Sequence, residues 1–274
     1  MPSIAVGGQR IAYEVRGNGD PLLLVAGTGY PGATWSPELL TSLAAGRTVI
    51  TFDHRGTGAS PASADRYSTR LFAADALAVL DDLGLPATHV VGHSMGGRVA
   101  QWMALDRPDR IRTLVLAATG PGQFRDDRPV TRGIPVHTVK GLVELGYEGY
   151  MRQHIADTFF TPEFVRSDPD RVAWLVRAFW EHRPELEEYL RHIVARQEHQ
   201  TAERLAELTM PTLVVVGDRD THVAGTGAHD EQSAFLMSRV PSAELRIVTG
   251  AAHGYFWQLP ERSARIVLDW TAAH

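Results

Sequence analysis

One serine in the chain stands between glycines, in Gly92-His93-Ser94-Met95-Gly96-Gly97, directly after the run Thr88-His89-Val90-Val91. A short β-branched run of that kind reads as a buried strand. The next stretch, residues 98–105, has Val99, Trp102 and Met103 at helical spacing. The chain must therefore turn sharply from strand to helix at Ser94, and a tight elbow leaves no room for Cβ atoms beside the exposed hydroxyl. The helix start adds a positive end and the free N–H of Met95. A serine hydroxyl is a poor nucleophile until an imidazole takes its proton and an acid orients that imidazole. The chain holds 12 histidines and no cysteine, which rules out thiolate catalysis, disulfides and cysteine zinc sites. His253 stands in the small-residue loop Gly250-Ala251-Ala252-His253-Gly254. Asp218 and Asp220 both follow the apolar run Leu213-Val214-Val215-Val216, and both suit a turn.

The motif GHSMGG, residues 92–97, resembles the nucleophile elbow of the α/β-hydrolase fold, and the likeness extends over the whole chain. It implies a triad in the order serine, acid, histidine: Ser94 as nucleophile, Asp220 as acid and His253 as base. Asp220 is favoured because the family's acid lies three residues beyond the strand-ending glycine, here Gly217, leaving Asp218 as a turn residue. The resemblance also implies an oxyanion hole of two N–H groups, from Met95 and from the loop Ala26-Gly27-Thr28-Gly29. Thr28 is the expected second donor and Gly29 the alternative. The family commonly has His-Gly in that loop, and this chain has Ala26-Gly27. Asp53-x-Arg55-Gly56-x-Gly58-x-Ser60 matches a structural turn of the family.

The remaining histidines carry less. His93 adjoins the serine but points elsewhere in such an elbow. His222 and His229 follow the acid too soon to be the base, and His154, His182, His192 and His199 fall in a helical stretch. None repeats at H-x-x-x-H spacing beside a carboxylate, so no metal site is expected. Gly27-x-Gly29-x-x-Gly32 with Asp53 outlines a dinucleotide fingerprint, but Pro31 intrudes in the turn and Trp35-Ser36-Pro37 delays the helix.

The elements that must position these groups follow from periodicity. Residues 4–6 and 11–15 read as a hairpin about Gly7-Gly8. Residues 22–25, 48–52, 113–117, 212–216 and 245–248 read as further strands. Helices are expected over 36–44, 71–83, 231–239 and 260–271, the last packing through Ile266, Val267 and Trp270. Strands alternating with helices predict an α/β fold: a mostly parallel central sheet with helices on both faces. Residues 1–122 and 209–274 form that core. Residues 123–208 show no convincing strand and form an all-helical insertion, which in the resembled family is a lid over the site. Asp168-Pro169 caps a helix that runs through Trp174, Phe179 and Trp180, and Glu187 and Arg191 are spaced as an i,i+4 pair. Trp174, Phe179 and Trp180, with Gly29, are expected along the substrate pocket, favouring bulky apolar substrates. The competing expectation is that these aromatics form the insertion's own core.

Net charge is −5, from 27 basic and 32 acidic residues, with no run of lysines or arginines. Nucleic acid and anionic membranes are therefore not expected partners. The first residues show no charged segment leading into an apolar core, and no apolar stretch approaches a membrane span, so a cytoplasmic protein is expected. The oligomeric state is open, a homodimer included. The expected activity is cofactor-free serine hydrolysis of an ester, lactone or thioester of a small, largely apolar substrate through an acyl-enzyme. The same fold also runs C–C hydrolysis, lyase, perhydrolase or cofactor-free oxygenation chemistry, or serves as a ligand receptor. A receptor has no need of all three triad residues.

Overall fold

The computed structural model describes residues 1–124, 132–220 and 229–274. In it the apolar runs become β1 (Ser3–Val6), β2 (Gln9–Arg16), β3 (Asp20–Val25), β4 (Arg47–Phe52), β5 (Thr88–His93), β6 (Ile111–Ala117), β7 (Thr212–Gly217) and β8 (Ala243–Val248). They form one sheet in the order β1-β2-β4-β3-β5-β6-β7-β8. The β1–β2 and β2–β4 pairs are antiparallel, and every later pairing is parallel. Side chains of the central strands alternate between two apolar layers. Leu22, Leu24, Val91 and Val115 pack into one, while Leu23, Val25, Val90 and Leu114 pack into the other.

Helices cover both layers. In chain order they are α1 (Pro37–Ala44), α2 (Thr69–Asp82), α3 (Met95–Asp106), α4 (Val136–His154), α5 (Pro162–Ser167), α6 (Pro169–His182), α7 (Leu186–Gln197), α8 (His229–Arg239), α9 (Tyr255–Gln258) and α10 (Pro260–Ala273). α1 and α10 bury Leu39, Leu43, Val267 and Trp270 against one face. α2, α3 and α8 bury Phe72, Val79, Val99, Met103 and Leu236 against the other. The described residues between β6 and β7 are largely helical, comprising α4 to α7 and a π-helical turn, Ile155–Phe159, that joins α4 to α5. Residues 125–131 of the expected insertion, and 221–228 with His222, lie outside the described residues.

Several local readings are decided by single contacts. Asp168 caps α6 by accepting from the Arg171 N–H at 3.1 Å. Arg191 pairs with Glu188 at 2.8 Å rather than with Glu187. The reason is direction: its guanidinium also donates to the carbonyls of Ser63 and Asp65 and lies 3.8 Å from the Tyr67 ring, on the buried side of α7. The Asp53 carboxylate accepts from the N–H groups of Gly32 at 2.7 Å and Ala59 at 2.8 Å. The acid of the dinucleotide outline is thus committed to tying two loops together. Arg55 grips the buried Asp75 with two bonds of 2.7 Å, which fixes the turn after β4 as structure.

Two histidines buried at this junction set an acid limit on the fold. His54 and His192 are 0% exposed, and each has one ring nitrogen bonded to a carbonyl, Ala26 and Arg55 respectively. The other nitrogen of each has no partner among the described residues, as suits a neutral ring. Burial pushes His54 down to about 3, with His192 adding to it, and pushes His192 down to about 4. The unfolded chain protonates both near pH 6.5 while the folded chain does not, so the unfolded state binds more protons as pH falls. Stability is therefore expected to be level above pH 7 and to fall between pH 6.5 and 4, by about 1.4 kcal/mol per pH unit for each ring. Urea midpoints from pH 8 to 4.5 check this, and a flat profile across that window would contradict it.

Candidate active site

Four strand ends on one edge of the sheet carry the candidate groups. β3 leads to the Thr28 loop, β5 to Ser94, β7 to Asp220 and β8 to the loop of His253. Loops beyond the carboxyl ends of parallel strands are where open α/β sheets bind ligands. Register aligns them: Val25 pairs with Gly92, and His93 with Ala117.

Ser94 takes φ 56° and ψ −119°, a conformation a non-glycine residue rarely adopts. Such strain costs about 1–3 kcal/mol and persists only where surrounding bonds fix it. Here the Ser94 N–H donates to the Ala117 carbonyl at 2.9 Å, and the Ser94 carbonyl accepts from the Thr119 hydroxyl at 2.6 Å. The flanking glycines are obligatory: a Cβ on Gly96 would lie 2.0 Å from the Val25 carbonyl oxygen, and one on Gly92 2.3 Å from that of Gly96. Met95 is the first residue of α3, so its N–H has no partner within the helix. The Tyr30 N–H bonds the Gly27 carbonyl at 3.2 Å, closing a turn in which Gly29 has φ 72°. Among the described residues the Thr28 N–H has no backbone acceptor, and the buried Thr28 hydroxyl has no hydrogen-bond partner.

His253 places Nδ1 3.0 Å from Asp220 Oδ2. With Nδ1–H donated to the acid, Nε2 is left as the basic nitrogen, and both Ser94 and His253 line one cavity of about 420 Å³. His93 does point away from the serine: its Nε2 donates to the His253 carbonyl at 2.9 Å and steadies the loop. Asp220 is 3% exposed, whereas Asp218 is exposed and its Oδ1 accepts from the Gly250 N–H at 2.7 Å. The two aspartates thus separate by geometry, one against the imidazole and one holding its loop.

His229, which follows the acid too soon along the chain to be expected as the base, nonetheless lies in this cluster. Its Nδ1 lies 2.9 Å from Asp220 Oδ1, without the alignment of a hydrogen bond, and its ring stacks on His253 at 4.6 Å. Distance along the chain does not show this contact, because α8 begins at His229 and brings it back over the acid. Burial alone would raise the Asp220 carboxyl, but the two imidazoles outweigh it and hold it well below the usual carboxylate range. Burial lowers His229, against the pull of Asp220. Asp220, His229 and His253 also bring potential metal-ligand atoms within 4.8 Å of one another. His253 Nδ1 and Asp220 Oδ2 are already engaged with each other.

The cavity walls differ from the expected pocket. Thr28, Tyr30, Phe159, Tyr189, Ile193 and Arg196 line it. Gly29, Trp174, Phe179 and Trp180 do not, and the expectation that they shape it is corrected. Phe179 is 0% exposed, with its ring 5.1 Å from that of Tyr30. Trp174 packs half-buried on the same apolar layer. Trp180 carries the Arg183 guanidinium 4.0 Å from its ring centre and lies 5.6 Å from Tyr147. Gly29 abuts Tyr189 and Pro184. Helical periodicity shows that these side chains are covered but not what covers them. Arg98 also lines the cavity, and the signal that could have found it is its place in α3, four residues beyond Ser94 at the helix N-cap.

A model of the alpha/beta hydrolase fold family matches residues 20–259. A protein named "Putative carbamate hydrolase RutD" from Azorhizobium caulinodans is 30% identical over 261 residues, covering 95% of this chain and 94% of its own. The solved structure of Est816, described as an N-acyl homoserine lactone degrading enzyme, superposes with TM-score 0.81 at 25% identity, covering 98% of this chain and 99% of that one. The enol-lactonase of Burkholderia xenovorans LB400 superposes with TM-score 0.84 at 22% identity, covering 99% and 100%.

Proposed function

The chain belongs to the alpha/beta hydrolase family, and on that premise we propose that it is a serine hydrolase working through an acyl-enzyme. Ser94 attacks the carbonyl carbon while His253 Nε2 takes the hydroxyl proton, and Asp220 holds His253 in the tautomer that leaves Nε2 free. The oxyanion that forms is held by the N–H groups of Met95 and Thr28. His253 then protonates the leaving group, and water, deprotonated in turn by His253, releases the acid. These steps need only side chains, two main-chain N–H groups and water. The observation that carries the reading is the 3.0 Å bond from His253 Nδ1 to Asp220 on a cavity shared with Ser94.

The bond cleaved is that of an ester, lactone or thioester. The carbamate and lactone named for similar proteins are acyl compounds of the same kind. The helices between β6 and β7 act as the lid, since the π-turn, α4 and α7 supply much of the cavity lining. Apolar substrate surface has Tyr30, Phe159 and Ile193 to rest on. No helix among the described residues is long and apolar enough to cross a membrane.

A fluorophosphonate probe tests the reading directly, because it phosphonylates a serine only where a base and an oxyanion hole activate it. One equivalent is expected on the peptide that contains Ser94, found by mass spectrometry, and Ser94→Ala is expected to take up none. Labelling at another residue, or none, would speak against the proposed nucleophile.

A further inference from the structure

Two guanidinium groups, those of Arg98 and Arg196, stand in the wall of the Ser94 cavity. Arg98 is 3% exposed, and its Nη1 donates to the backbone carbonyl of Arg196 at 2.5 Å. Among the described residues Arg98 has no carboxylate partner, and the half-buried Arg196 guanidinium has neither an ion pair nor a hydrogen bond. The other buried arginines among them are treated differently. Arg55 has Asp75 at 2.7 Å and Arg110 has Asp81 at 2.6 Å. A buried cation is kept only where something compensates it. Burial pushes Arg98 down to about 9, with the charge of Arg196 adding to it, so it is still a cation at neutral pH. Burial also lowers Arg196, countered in part by Tyr189 and Tyr150.

The carboxylates that line the same cavity are exposed ones. Glu144 lies 3.7 Å from Lys140, and Asp157 sits on the π-turn. Of the lining histidines, burial holds His154 and His229 below their ordinary value. Among the described residues, the buried part of the cavity therefore presents two guanidinium groups and no carboxylate. A guanidinium is a planar fork that matches a carboxylate with two parallel N–H···O bonds.

We propose that Arg196, backed by Arg98, forms a carboxylate subsite, so that the substrate carries a carboxylate at a distance from the bond cleaved at Ser94. The position of that bond rests on the serine-hydrolase reading above. α3 brings Arg98 to the cavity wall about one helical turn, or about 5 Å, beyond Ser94, which suits a short spacer of a few carbons, as in a half-ester of a short dicarboxylic acid. This revises the largely apolar substrate expected from the sequence: the apolar wall holds the spacer and the arginines hold its end.

Calorimetry on Ser94→Ala, which binds without turnover, with monomethyl glutarate and dimethyl glutarate as probes, tests the subsite on its own. The acid is expected to bind at least about tenfold more tightly than the diester, about 1.4 kcal/mol. Arg196→Met on the same background is expected to abolish that difference, and Arg196→Lys to keep part of it. Equal affinity for the two probes, or a preference that survives Arg196→Met, overturns the subsite whatever the enzyme hydrolyses. With Ser94 intact, the kcat/KM ratio of acid to diester should be about tenfold or more and collapse in Arg196→Met. A preference for the acid in calorimetry with no ester turnover in the wild type would leave the subsite standing and remove the hydrolase reading instead.

Discussion

Ser94→Ala is expected to lower kcat on an activated ester by about four to six orders of magnitude while leaving the fold unchanged. Alanine keeps the Cβ, so the backbone at φ 56° bears the same strain with either side chain. The bonds that hold the elbow run through main-chain atoms, the Ser94 N–H to Ala117 and the Ser94 carbonyl to Thr119, and both survive the change. What is lost is the attacking oxygen alone. A donor pair at Met95 and Thr28 would still accelerate direct attack by water, which is why removal of a triad serine leaves a residue of roughly 10³–10⁴ over the uncatalysed rate. Single-turnover and steady-state rates with a p-nitrophenyl ester, beside thermal unfolding of both proteins, check the two halves of this expectation. Retained activity above about 1%, at unchanged stability, would mean that chemistry in this cavity does not pass through Ser94.

The elbow was legible because its constraints are local: glycines at 92 and 96 are dictated by the approach of Val25 and of the elbow's own carbonyl. Strands announced themselves through buried β-branched runs, and the cap at Asp168 through residue type. Long-range facts left no such trace. Nothing in the spacing of Asp220 and His229 says that α8 turns the imidazole back onto the acid at 2.9 Å. The apolar face of α6 was visible, but whether Phe179 met a cavity or the ring of Tyr30 depends on how the insertion docks. Arg98 read as an ordinary helix former, since arginine has high helix propensity. Only the fold reveals that it is buried beside Arg196 with no carboxylate partner among the described residues. Charge compensation is a property of three-dimensional neighbourhoods, and composition reports only the net −5 of the whole chain.

Asp220→Asn is expected to cost about 10³–10⁴ in kcat, and Asp218→Asn less than about threefold. The reference for the first figure is the serine triad in which the same change costs about 10⁴ by offering the imidazole the wrong tautomer. Here the amide meets two rings, His253 at the position of Oδ2 and His229 at that of Oδ1. If the NH₂ turns to His253, it must donate to Nδ1, and the imidazole then carries its proton on Nε2 and is no base for Ser94. If the oxygen turns to His253, the working tautomer is kept and the NH₂ falls on His229 Nδ1, which burial favours in its neutral form. The second orientation recovers part of the rate, which sets the lower end of the range, but it loses the negative charge that stabilises the imidazolium during proton transfer. Asp218 has no part in this: it is exposed, and its carboxylate accepts the Gly250 N–H, a bond the asparagine oxygen can replace. Measuring kcat and KM for both variants at one pH decides the assignment. An Asp218→Asn loss greater than that of Asp220→Asn would transfer the role of acid to Asp218 and with it the account of the His253 loop.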